Sequence, residues 1–66
     1  MDIAKELRKI LIDEDTTLTA LADKLSVTQQ NISAKFKKND FRISELHAIA
    51  EAIGYDLNIS FTKKNN

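Results

Sequence analysis

Apolar residues recur at helical spacing in four places along the chain. Ile3, Leu7, Ile10 and Leu11 fall on one face of a first helix, with Asp2 placed to cap it and an end expected near Asp13. Leu21, Ala22 and Leu25 share a face of a second, capped by Thr17. Ile32 and Phe36, four residues apart, hold a third against the core, and Leu46 and Ile49 mark a fourth that Gly54, the one glycine, closes. After Gly54 the period changes. Tyr55-Asp56-Leu57-Asn58-Ile59-Ser60-Phe61-Thr62 alternates apolar with polar residues, which predicts a strand with one buried face.

The second and third helices are separated only by Ser26-Val27-Thr28, and Val27 is expected to plug that tight turn. This is the layout of a helix-turn-helix. With Ile32 and Phe36 inward, a rotation of roughly 100° per residue points Gln30, Ala34 and Lys37 almost directly outward. Asn31 and Ser33 flank them, and Gln29 sits at the helix start. Amide side chains pair bidentately with an adenine edge, and small residues such as Ser33 and Ala34 leave room for thymine methyls. Gln29, Gln30, Asn31, Ser33 and Ala34 are therefore the candidate base readers of double-stranded DNA.

The segment resembles the Cro/C1-type helix-turn-helix family of phage repressors and bacterial regulators. Thr17, Leu21, Ala22, Val27, Thr28, Ile32 and Ser33 stand in the family's register, Thr28 replacing the usual Ser. Residues 43–54 are similar to the family's next helix, so the likeness covers most of the chain. Several members carry Thr-Gln-Gln at the start of the recognition helix and read bases with the amides, a role the resemblance assigns to Gln29 and Gln30. Two positions depart from the pattern. Ser26 stands where the family has a turn glycine, which demands either a positive φ at some cost or a distorted turn. Leu18 replaces a Gln that grips a phosphate.

The chain has 66 residues, enough for one small domain that buries only about 60% of its unfolded surface. An enzyme cleft is hard to build at that size, and no nucleophile arrangement or glycine-rich phosphate loop occurs. His47, the one histidine, has no partner group beside it in sequence and is expected on the surface or in packing. With no cysteine there are no disulfides or thiolate metal sites, and Asp13-Glu14-Asp15 is better explained as charge favouring the following helix N-terminus than as a metal site. No enzyme activity, cofactor or metal is expected. The N-terminus mixes charges, unlike a signal peptide, and no apolar run approaches a membrane span, so a cytoplasmic protein is expected.

Ten basic residues balance ten acidic ones, an unusual total for a DNA-binding domain. Their distribution is uneven. From Gln29 to Arg42, Lys35, Lys37, Lys38 and Arg42 face only Asp40, a modest basic patch. Thr17, Thr28, Lys35, Lys37, Lys38 and Arg42 are the residues expected at phosphates. Phe41 is expected to anchor the loop before the fourth helix, and Lys63 and Lys64 either extend the patch or form a solvated tail.

The predicted fold is mostly α: a compact four-helix, lambda-repressor-like unit over residues 1–54, a strand over 55–62 and a tail over 63–66, in one domain. No second strand exists to pair with the first. The simplest pairing is with the same strand of another copy, giving a two-fold homodimer whose interface holds Tyr55, Leu57, Ile59 and Phe61. The same device resembles the dimer strand of small Cro-type repressors. The other reading is a tail lying extended over its own core. The expected function is a Cro-like repressor on a pseudo-palindromic operator. The alternative is a protein-binding module, an antitoxin or phage accessory protein using the same fold, favoured by the zero net charge and by Leu18.

Overall fold

A computed structural model describes residues 2–65 and contains four helices: α1 (Ile3–Asp13), α2 (Leu18–Leu25), α3 (Gln29–Lys38) and α4 (Ile43–Ile53). Side chains begin the first three, each accepting an N–H the helix leaves unpaired. Asp2 accepts from the Lys5 N–H, Thr17 from Ala20 and Thr28 from Asn31, at 3.0, 3.0 and 3.2 Å. At α4 the direction reverses, because Arg42 carries no acceptor. Glu45 reaches back to accept the Arg42 N–H at 2.7 Å, half of a capping box.

All four helices end the same way. Asp15, Ser26, Asn39 and Gly54 adopt φ of 52, 57, 53 and 77°, in the left-handed region. Behind each, the next residue's N–H returns five positions: Thr16 to Leu11, Val27 to Ala22, Asp40 to Lys35, Tyr55 to Ala50. These are Schellman closures, in which glycine is the residue without steric cost. Three of the four are built on residues that have a Cβ. Ser26 thus takes the positive φ instead of distorting the helix-turn-helix turn. A left-handed L-residue costs roughly 1–2 kcal/mol, partly offset by glycine's greater unfolded-state entropy. Ser26→Gly is expected to stabilise the fold by about 1 kcal/mol, raising Tm by roughly 4–8 °C for a domain of this size. A thermal melt showing a lowered Tm would refute this account of the turn.

The core is formed by Ala4 and Leu11 of α1, Leu21 and Ala22 of α2, Ile32 and Phe36 of α3, and Ile49 of α4. α2 packs against both α3 and α4. Two sequence expectations shift here. On α1 the buried face is centred on Ala4 and Leu11 with Leu7 packed beside them, while Ile3 and Ile10 are half-buried at its edge. Val27 does not plug the turn. It is 40% exposed and forms, with Leu25, Ile32 and Ile49, the wall of a shallow apolar cleft facing α4. Phe41 does anchor its loop, packing edge-on to Phe36 with ring centres 5.2 Å apart.

The strand expected over 55–62 is absent from the single chain: no described residue lies in a strand. A strand is defined by a ladder, and these residues have no second segment to pair with. The tail begins where Tyr55 donates its hydroxyl to Glu14 Oε2 at 3.1 Å, tying it to the end of α1. It then borders an apolar groove of about 270 Å³ between Ile3, Leu7 and Ile10 of α1 and Leu46 and Ile53 of α4. Leu57 is half-buried there, Ile59 is 52% exposed and Phe61 99% exposed. The tail over its own core, the second reading of this segment, thus fits Leu57, while Ile59 lies at the groove's rim and Phe61 outside it.

Candidate nucleic-acid interface

The outward face of α3 follows from what its inward face must do. Ile32 and Phe36 are 4% and 2% exposed, and burying them fixes the helix's rotation. Gln30, Ala34 and Lys37 then point to solvent, with Gln29, Asn31 and Lys38 also exposed and Ser33 half-buried at the margin. None of the amides of Gln29, Gln30 and Asn31 makes a side-chain hydrogen bond to another described residue. Their donors and acceptors are available to a base edge.

Thr17 and Thr28 begin α2 and α3 on the exposed surface. Each hydroxyl oxygen accepts a cap hydrogen bond, which leaves its own O–H free to donate to a phosphate. Lys37, Lys38 and Arg42 are exposed and form no ion pair among the described residues.

Lys35 behaves differently. Its Nζ lies 2.7 Å from Glu45 Oε2, joining α3 to the first turn of α4. The carboxylate is held on both sides, by the Lys35 ammonium and the Arg42 N–H, and its pKa falls below the ordinary glutamate value in that order of cause. A carboxylate with a depressed folded-state pKa keeps its contribution above its unfolded pKa and loses it as pH falls through the folded value. The tie is therefore intact at neutral pH and opens only on acidification below the usual carboxylate range. Sequence spacing put Lys35 in the basic patch. It could not reveal Glu45, ten residues on, as the charge that engages it.

Two further contacts were not legible in the sequence. Arg8 of α1 stands over the Phe36 ring, its guanidinium carbon 5.3 Å from the centroid. Asn39 accepts the Ala4 N–H at 2.8 Å, across 35 residues.

The four-helix unit, with a tight turn between α2 and α3, is a helix-turn-helix arrangement, and a family comparison identifies which. The family model of the Cro/C1-type HTH DNA-binding domain matches residues 6–58. The chain belongs to the Cro/C1-type helix-turn-helix family. No curated protein and no solved structure shows a significant match to the chain. In this Cro/C1-type domain α2 and α3, joined by the turn at Ser26–Thr28, are the helix-turn-helix pair. The match ends at Asn58, so Ile59 and Phe61 lie beyond it. No helix is long and apolar enough to cross a membrane, and the described residues contain no cluster of three or more metal-binding side chains.

Proposed function

We propose that this Cro/C1-type domain is a sequence-specific transcriptional repressor that binds a pseudo-palindromic operator as a homodimer, in the cytoplasm and without cofactor or enzymatic activity. The observation that carries the reading is the exposed, unengaged amide face of α3 beside Thr17 and Thr28, whose hydroxyls cap the two helices and still have a proton to donate. Gln29, Gln30 and Asn31 read base edges, Ser33 and Ala34 allow close approach, and Lys37, Lys38 and Arg42 neutralise phosphates. Lys35 adds less, since its charge is shared with Glu45. Dimerisation through the tail is supported by the exposure of Ile59 and Phe61 and by the main chain of residues 56–62, which makes no hydrogen bond to other described residues. Repression then follows from occupancy: a bound dimer excludes polymerase or a competing regulator.

The test separates base reading from phosphate binding. With a site selected from a random duplex pool, Gln30→Ala is expected to lose discrimination at one base pair, worth about 1–3 kcal/mol, with the fold unchanged. Lys37→Ala is expected to weaken binding to all sequences and flatten the salt dependence by about one unit per copy bound. Lys35→Ala should flatten it less. Unchanged discrimination in Gln30→Ala would remove that residue from the interface. A parent chain with no salt-dependent affinity for any duplex would favour the protein-binding alternative.

A further inference from the structure

We propose that Asn39 is a positioning residue for base recognition, its amide oxygen fastening the C-terminal end of α3 to the first turn of α1. The proposal rests on the reading of α3 as a DNA-reading helix. Asn39 stands just past α3 with φ 53°, closing the helix through its backbone, and its side chain does a second job there. The Ala4 N–H belongs to the first turn of α1, where no intrahelical acceptor exists. Ala4 is only 5% exposed, so solvent replaces a missing partner poorly. Asn39 Oδ1 supplies that partner at 2.8 Å.

A second contact from α1 reaches the same end of α3. One turn along α1 from Ala4, Arg8 covers the Phe36 ring, which Phe41 braces edge-on. Neither contact involves a residue of the outward face. The three amide side chains proposed to read bases, on Gln29, Gln30 and Asn31, sit at the opposite end of the helix, and Gln30 lies about 9 Å along the axis from Phe36 at 1.5 Å per residue. A tilt of about 6° at the gripped end therefore moves the Gln30 amide by about 1 Å. That is enough to spoil a bidentate pair whose distances are confined to roughly 2.7–3.2 Å, while phosphate contacts from long lysines adapt.

Glycine at position 39 keeps the left-handed turn and removes the amide; aspartate tolerates the same φ and restores an acceptor at the positive end of α1. Full-length parent, Asn39→Gly and Asn39→Asp are compared well below their melting temperatures. The probes are a duplex selected by the parent from a random pool and a shuffled duplex of equal length. The ratio of the two affinities is expected to fall about tenfold in Asn39→Gly and to return within about twofold of the parent in Asn39→Asp. Taking the ratio cancels the added charge of the aspartate and any loss of folded fraction, which lower both affinities alike. Amide exchange without DNA should show Ala4 exchanging faster in Asn39→Gly and near the parental rate in Asn39→Asp. A parental ratio in Asn39→Gly overturns the positioning role, and unchanged Ala4 exchange overturns the bond itself. A parent that prefers no sequence overturns the proposed function and this role with it.

Discussion

Phe36→Ala is expected to leave the chain largely unfolded at 25 °C. A Phe→Ala truncation in a packed core costs about 3–5 kcal/mol, and Phe36 is 2% exposed in the centre of this one. Total stability for 66 residues, at roughly 0.05–0.15 kcal/mol per residue, is on the order of 3–10 kcal/mol. The loss thus removes from about a third to all of the free energy that holds the domain together. It also removes the edge-on contact with Phe41 and the surface under Arg8, so α3, the following loop and α1 lose their common support. Far-ultraviolet circular dichroism through a thermal melt reads the result. A cooperative transition within a few degrees of the parent would show that Phe36 is not the centre of the core.

The second large effect concerns the tail. Truncation after Gly54 is expected to give a helical monomer whose operator affinity is lower by orders of magnitude, because the proposed dimer would present two copies of α3 about 34 Å apart and the remnant only one. The truncation also removes the Tyr55 to Glu14 tether and the apolar cover from Leu57, so some stability is lost with it. Phe61→Ala isolates association from folding. Phe61 is 99% exposed in the single chain and its loss removes almost no contact there. Any fall in sedimentation coefficient must then come from contacts between copies. Ile59→Pro tests main-chain pairing in the same assay, since proline removes a ladder donor. An intact chain that sediments as a monomer at tens of micromolar, and binds an asymmetric site as a single copy, would refute the dimer.

The helices were legible because their signals are local. Asp2, Thr17 and Thr28 cap where a short polar side chain precedes an apolar period, and Gly54 closes α4 as a glycine with positive φ does. The outward set on α3 was equally legible, because burying Ile32 and Phe36 decides where every other residue of a rigid helix points. The tail's alternation predicts a strand paired with another copy, and the single chain holds no strand among its described residues. Alternation reports which side chains can share a face, but a ladder needs a second backbone, and that is not a local property. Val27 was placed too deep because its position in the turn says nothing of how closely α4 approaches.

Sequence by itself determined the helical unit, the helix-turn-helix pair and the candidate base-reading face of α3, since each depends on the period and caps within about ten residues. Tertiary structure decided which charges and amides remain free to act. Only packing brings Glu45 to Lys35, Asn39 to Ala4, Arg8 to Phe36 and Tyr55 to Glu14. These contacts span 10 to 41 positions along the chain, and hydrogen bonds and charge pairs of this kind act over a few ångströms, so they exist only after the helices have docked.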